Sequence, residues 1–447
     1  MEALESFLKE NRITEIESTI PDMTGNARGK FYPTRKFLAE KNGRIPEAIL
    51  IQTVTGGCAD NPEALIHPSD RDMILVPDVS TLRLVPWAEE PTAQIINDCY
   101  TAEGKLHPLA TRGVLRRVLQ LFQDEDLKPV IAPELEFYLL QQNLDPDYEL
   151  KSAIGRSGRR ETARQSYGID AVNEFNPVID TLYEYCTAQG LDVDTLIHEA
   201  GAAQMEVNFL HGDPINLADQ VFVFKRTLRE TAIKHGIYAT FMAKPMEHEP
   251  GSSMHIHQSL IDITTGANIF AGTAGGYSET FYHYLGGLQR YIPHAISFFA
   301  PNVNSYRRFA PGMAAPVNMD WGIDNRTAGL RAPACDPIDA RIENRFSGAD
   351  ANPYLTIALT LACGYLGIKE QIKPAEPVEG IAFLPGDTIQ VARSLEEGLR
   401  LLDECEPLQQ LLGEHFIKAY IAVKKAEFET FNQVISSWER EHLLLNV

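Results

Sequence analysis

Residues 130–140 read VIAPELEFYLL, and the reading of this stretch decides the fold of the part of the chain that carries chemistry. Its β-branched and aromatic residues predict a strand. Strand side chains alternate between faces, so Glu134 and Glu136 are expected to point one way while Leu135 and Phe137 pack behind them. Two carboxylates side by side in an apolar strand are costly unless a positive charge lies between them. A divalent metal supplies such a charge; a half-exposed strand with a polar outer face is the plainer alternative.

The same pattern recurs downstream. In GSSMHIHQSL (251–260), His255 and His257 share one strand face. In RIENRF (341–346), Arg341, Glu343 and Arg345 share one, and in LIHEAGAAQMEVNF (196–209), Glu199 and Glu206 bracket a short Gly/Ala turn. Each pattern alone is as readily a satisfied polar cluster. Together they offer an oxygen-rich ligand set with imidazole nitrogen, which suits Mg²⁺ or Mn²⁺ better than structural zinc. Two ions could be held, bridging the phosphates of a nucleotide. The stretch 304–333 adds Arg307, Arg308, Arg326 and Arg331 amid Gly, Pro and Asn. Guanidinium forks match phosphate and carboxylate oxygens, and arginines beside acidic metal ligands point to phosphoryl transfer. No GxxxxGK[ST] or GxGxxG run is present, which excludes a P-loop NTPase and a Rossmann enzyme.

Outward from these segments, residues 1–20 read as a short helix and a strand. Residues 22–32, with Gly25 and Gly29, read as a turn-rich stretch, and 72–87 as short strands and turns. The segment 1–105 is therefore expected to be a small β-rich domain. From residue 109 helical spacing sets in, over 114–122 and 216–235; 280–299 and 352–370 also read as helices, with strand-like runs between them. This alternation predicts an α/β or α+β catalytic domain over 106–447. Residues 141–175 are polar and read as a long surface excursion, either a solvated loop or one concerned with substrate access or subunit contact.

The bulk composition fits this plan. A chain of 447 residues, 44% hydrophobic, exceeds one ordinary domain. The net charge of −21 repels nucleic acid and anionic membranes, so neither is an expected partner. That charge either serves solubility alone or enriches cations near the surface. Six scattered cysteines without a CxxC pair read as reduced thiols, and the N-terminal MEALESFLKENR lacks an apolar core. A cytoplasmic protein without a signal peptide is the expectation.

The motifs resemble those of the glutamine synthetase family. PELEF (133–137), HEAGAAQMEVNF (198–209), GSSMHIHQSL (251–260), NSYRRFAPG (304–312), NRTAGLRAP (325–333) and RIENRFSGADANPYL (341–355) occur in the family's order and spacing. The resemblance runs from DMTGNARGK (22–30) through PDVST (77–81) to WEREHLL (438–444). It implies an α+β fold, with a small β-grasp-like N-terminal domain and a large catalytic domain whose antiparallel sheet forms a half-barrel flanked by helices. It implies that Glu136, Glu199 and Glu206 hold one metal, and Glu134, His255 and Glu343 a second. His257, Arg326 and Arg331 would surround the phosphates of ATP. Gly251, Arg308 and Arg345 would bind glutamate or its phosphorylated form, with Arg326, Glu343 and Arg345 taking part in catalysis. Assembly as a dodecamer of two hexameric rings is implied as well.

Three departures from the family bear on the acceptor. Ammonia users carry Glu in a PGxEAP flap, whereas this chain has Pro311-Gly312-Met313-Ala314-Ala315-Pro316, with Ala314 at the Glu position. Ammonia users also carry an FDGSS-like stretch, where this chain has Thr53-Val54-Thr55-Gly56-Gly57-Cys58. The usual Asn of NGSGMH is Pro250. An amine with a lysine-like pKa of ~10.4 costs roughly 4–5 kcal/mol to deprotonate at pH 7. Losing the flap Glu removes a base but makes room for carbon substituents. Such losses, and the run GRSGRRETARQSYGIDAVNEF (155–175), are similar to γ-glutamylpolyamine synthetases. L-glutamate, ATP and a polyamine such as putrescine or spermidine are the expected substrates, in polyamine catabolism. The alternatives are another amine (ethanolamine or a monoamine), ammonia, or a relative that has lost catalysis.

Overall fold

The VIAPELEFYLL stretch lies inside the longest strand of the molecule. The structure is a computed structural model, and it describes residues 2–40, 42–162, 164–272, 276–309, 315–382 and 390–447. Residues 311–314, with the expected flap and Ala314, lie outside the described residues.

Two sheets organise the chain. The first contains β1 (Glu15–Pro21), β2 (Ala27–Pro33), β3 (Gly43–Pro46), β4 (Asp72–Pro77), β5 (Arg83–Leu84) and β6 (Thr92–Tyr100). Its order is β2-β1-β6-β4-β3 with β5 on β6, and β1 runs parallel to β6. The turn expected over 22–32 is shorter than the sequence implied. Gly29 lies within β2, opposite Thr19, where a Cβ would meet the Ser18 carbonyl oxygen at 2.0 Å. Glycine is needed there for close strand approach rather than for turning.

The second sheet contains β7 (Leu127–Gln141), β8 (Val193–His198), β9 (Gln204–Phe209), β10 (Ile237–Thr240), β11 (Met254–Asp262), β12 (Trp321–Ile323), β13 (Leu330–Ala332) and β14 (Ile342–Asn344). Its order is β12-β13-β14-β11-β7-β9-β8, with β10 also on β7. All its pairings are antiparallel except β12 with β13. It curves into the expected half-barrel of a mixed α+β fold.

Leu135, Phe137, Met205, Val207, Met254 and Ile256 line the back of this sheet and are buried against the core. Helices Thr111–Gln123 and Pro214–Lys234 pack on β7, and behind them pack Glu279–Phe299 and Pro353–Glu370, all close to the predicted spans. The last two cross closely because Gly287 and Gly367 meet: a Cβ on Gly287 would lie 2.5 Å from the Gly367 Cα.

Arg112, on helix Thr111–Gln123, joins the first sheet to helix Pro214–Lys234. Its buried guanidinium reaches Asp78 (2.7 Å) beside β4, Asp98 (2.6 Å) on β6 and Asp219 (2.8 Å) on helix Pro214–Lys234. Tyr354 donates to Asp219 at 2.6 Å.

The 141–175 excursion is more ordered than a solvated loop. It carries bridges Leu140–Ser152 and Ile154–Arg160, a short helix Ile169–Asn173, and buried Ser152 and Ala153. No helix among the described residues is long and apolar enough to cross a membrane. All six cysteines are free.

Candidate active site

Strand register gathers the acidic and imidazole side chains on the concave face. Glu134 is the Cα partner of His255 on β11 and of Asn208 on β9. Glu136 is the partner of Glu206, and His257 of Glu343, which is itself the partner of Arg331. Because residues two apart share a face, this register turns six ligand-type side chains from four strands toward one space. Glu199 joins them from the turn after β8 rather than from a strand.

Three overlapping groups have ligand atoms all within 4.8 Å of one another: Glu136–Glu199–Glu206, Glu134–Glu206–His255 and Glu134–His257–Glu343. The trio expected for the first metal is thus assembled. The second expected set is close as well, since His255 Nδ1 lies 3.3 Å from Glu134 and 3.6 Å from Glu343. His257, expected beside the phosphates, also comes within ligand range, with Nε2 3.0 Å from Glu134.

The electrostatics divide the site in two. Burial, then the Glu199 charge, pushes the Glu136 carboxyl up to about 8. Burial likewise raises Glu199, and burial followed by the surrounding glutamates raises Glu206 well above its ordinary range. On the other side, burial is outweighed by positive partners. Hydrogen bonds from His255 and His257 hold Glu134 low, and Arg345 leads the groups that bring Glu343 down to about 2.

Arginines flank the second half. Arg331 donates to Glu343 at 2.9 Å and to Asp324 at 2.6 Å; Arg345 donates to Glu343 at 2.5 Å. Arg326 is exposed and lines, with Arg331, Arg341, His257 and Glu134, a cavity of about 720 Å³. Arg308 is buried, donating to Ser253 Oγ (2.7 Å) and the Phe346 carbonyl (3.1 Å). Gly251 covers it: a Cβ there would lie 2.5 Å from Arg308 Cγ and 2.8 Å from the Ala243 carbonyl.

Two contributors were missed in the sequence. Gln204 donates to Glu136 (3.3 Å) and to the Gly251 carbonyl (3.0 Å), and Asn208 donates to Glu134 (3.2 Å). Both flank Glu206 at a spacing of two, so the alternation that selected Glu206 would have selected them.

The comparisons with known proteins agree with this geometry. The chain matches the family described as glutamine synthetase, catalytic domain, over residues 108–443. It belongs to the glutamine synthetase family. Gamma-glutamylputrescine synthetase of Escherichia coli (strain K12) is 33% identical to it over 436 residues, 96% of this chain and 92% of the relative. Glutamate–isopropylamine ligase of a Pseudomonas species is 32% identical, covering 97% of this chain and 95% of the relative. Glutamine synthetase of Pyrococcus abyssi (strain GE5 / Orsay) is 34% identical over 84% of this chain and 82% of the relative. Among solved structures, apo GmaS superposes with a TM-score of 0.84 at 28% identity, covering 100% of both chains.

Ligases of the glutamine synthetase family use ATP and divalent metals, and the residues present fit such ions. Glu136, Glu199 and Glu206 crowd together with their carboxyls pushed toward protonation, the strain that a bound cation relieves. In the other half, Nδ1 of buried His257 has no hydrogen-bond partner among the described residues.

Proposed function

We propose that this glutamine synthetase family ligase joins the γ-carboxyl of L-glutamate to an organic amine, putrescine or a longer polyamine, at the expense of ATP. The observation that carries the ligase chemistry is the convergence of Glu136, Glu199 and Glu206 beside Glu134, His255 and Glu343. The amine acceptor is supported by Ala314 at the flap position, by Thr53–Cys58, and by the match to gamma-glutamylputrescine synthetase.

In this reading Glu136, Glu199 and Glu206 hold one divalent cation and Glu134, His255 and Glu343 another, Mg²⁺ or Mn²⁺. Bound there, the cations neutralise phosphate charge during transfer. His257, Arg326 and Arg331 orient the triphosphate. Gly251, Arg308 and Arg345 orient glutamate, with Arg326, Glu343 and Arg345 nearest the reacting atoms. A γ-carboxylate oxygen attacks the γ-phosphorus of ATP, and the bond to ADP breaks. The amine nitrogen then attacks the acyl carbon of γ-glutamyl phosphate, the C–O bond to phosphate breaks, and the nitrogen gives up a proton. Alignment of the reactants supplies most of the acceleration.

The same reading takes 1–105 as a β-grasp-like domain and 106–447 as the catalytic domain. It takes the assembly as a dodecamer of two hexameric rings, working in the cytoplasm in polyamine catabolism.

A second reading, another amine as acceptor, is favoured by the 32% identity to glutamate–isopropylamine ligase. A third, ammonia, draws on the similar identity of several glutamine synthetases. ATP- and glutamate-dependent phosphate release, measured in parallel with putrescine, spermidine, ethanolamine, isopropylamine and ammonium, separates them. The proposal expects the largest kcat/KM with putrescine or spermidine. Efficient turnover with ammonium, and none with the polyamines, overturns it.

A further inference from the structure

The turn that carries Glu199 is held from outside the sheet. β8 ends at His198 and β9 begins at Gln204, and Ala203 between them takes a positive φ of 57°. Four successive backbone amides in this turn each donate to a side-chain oxygen. Ala200 N donates to Glu199 Oε2 (3.0 Å) and Gly201 N to Gln204 Oε1 (2.9 Å). Ala202 N donates to Glu249 Oε2 (3.1 Å) and Ala203 N to Glu161 Oε2 (2.7 Å). Successive backbone amides attract anions, and here three of the four acceptors are the chain's own carboxylates, the fourth being the Gln204 amide oxygen.

Glu199 and Gln204 are local to the turn, but Glu161 and Glu249 are not. Glu161 comes from the 141–175 excursion, and Glu249 from the segment before β11. Glu161 grips both ends of the turn, because its Oε2 also lies 3.0 Å from Nε2 of His198. His198 is buried, and its Nδ1 donates to the Glu199 carbonyl at 2.7 Å. Arg164 ties the two outside segments together by donating to the His248 carbonyl at 3.1 Å. The Glu249 carbonyl accepts from Lys244.

Glu136 and Glu206 are buried within paired strands, whereas half-buried Glu199 lies one residue beyond β8, with its amide donating to the Gln204 carbonyl at 2.8 Å. Like charges brought together disfavour one another, and Glu199 is the member of the trio whose place depends on how its turn is held. We propose that Glu161 and Glu249 are positioning residues that clamp the 199–203 turn, so that the Glu199 carboxylate stays against Glu136 and Glu206. This inference rests on the reading that those three glutamates hold a divalent cation. Groups that orient metal ligands typically change metal affinity by about 10–100-fold when removed.

The test is titration of the full chain with Mn²⁺ by calorimetry, using the wild type, E136A, E343A, E161A, E249A and the conservative E161Q and E249Q. Metal-free thermal unfolding is followed in parallel. Wild type is expected to show two classes of site, one lost in E136A and the other weakened in E343A. E161A and E249A are expected to weaken the class lost in E136A by about 10–100-fold while leaving the other class unchanged. The Gln variants, which keep one acceptor oxygen, are expected to fall between these and the wild type. Wild-type affinity in both Ala variants overturns the inference. So does equal weakening of both classes together with a lowered unfolding midpoint, in the Gln variants as well as the Ala variants. A wild type that binds no Mn²⁺ saturably sinks the cation reading itself, and this inference with it.

Discussion

Glu136 and Glu206 are direct partners across the β7–β9 ladder, and both are buried. Like charges placed opposite each other destabilise a sheet, and here Glu199 adds a third carboxylate to the same space. The arrangement makes sense for a fold completed by a cation.

E206Q replaces one of those carboxyls, which burial and its neighbours push toward protonation, with a side chain that is neutral without taking up a proton. Without divalent ions, the variant is expected to unfold at a higher temperature than the wild type, because the cost of charging or protonating that carboxyl is gone. With Mn²⁺ the order reverses, since the variant loses a ligand and with it the metal-induced rise. Scanning calorimetry with and without chelator measures both. A variant less stable than the wild type under both conditions contradicts this account.

Arg112 holds Asp78, Asp98 and Asp219 together where the first sheet meets helix Pro214–Lys234. Removing one side of a buried ion pair typically costs about 3–5 kcal/mol. R112M strands Asp219, whose carboxyl burial already pushes up. Denaturant unfolding is expected to show a loss of that order for R112M. R112M/D219N is expected to recover part of it, because the stranded charge is gone. Additive losses in the double variant contradict the coupling.

Lys225 is buried and donates to the Ala349 and Ala351 carbonyls at 2.6 and 2.8 Å. Burial, then Arg229, brings its ammonium down to about 7, whereas an unfolded lysine titrates near ~10.4. Between these values the unfolded chain binds more protons, so the contribution of this position to stability rises with pH across that window. Below it, the deficit is fully present. The stability of the wild type minus that of K225M is expected to increase from about pH 7 to about pH 10. A flat or falling difference in urea unfolding contradicts the assignment.

Gly251 leaves no room for a methyl group above Arg308. Overpacking costs typically ~1–3 kcal/mol, and about 1.4 kcal/mol is tenfold in affinity. If Arg308 and Gly251 bind glutamate, G251A is expected to raise the KM for glutamate about tenfold while moving the KM for ATP much less. Equal changes in both constants contradict the placement of glutamate.

Much of this was legible in the sequence, and the physical limits of the reading are specific. The two-residue alternation of 130–140 placed Glu134 and Glu136 on one face and Leu135 and Phe137 on the other, as β7 shows. The long helices Pro214–Lys234 and Glu279–Phe299 showed in the spacing of their apolar residues, whereas Pro353–Glu370, buried on all sides through its first three turns, showed as a long apolar run. Alternation does not give register between strands, so it could not show that Glu134 lies opposite both His255 and Asn208, or that His257 comes within reach of Glu343. Gly29 misled because glycine serves close approach as well as turning. Glu161 and Glu249 carried no local signal at all. Their role depends on a contact with a turn distant in sequence, and polar residues in a polar segment look like solvated ones.

The central claim is that this site activates the glutamate γ-carboxylate by phosphoryl transfer before an amine attacks. The most direct test supplies glutamate labelled with ¹⁸O in its γ-carboxyl group, together with ATP, Mg²⁺ and putrescine, and weighs the released phosphate by mass spectrometry. The account predicts that each phosphate carries one ¹⁸O, handed over when the acyl C–O bond breaks. Phosphate released in step with amide formation but free of label would contradict it.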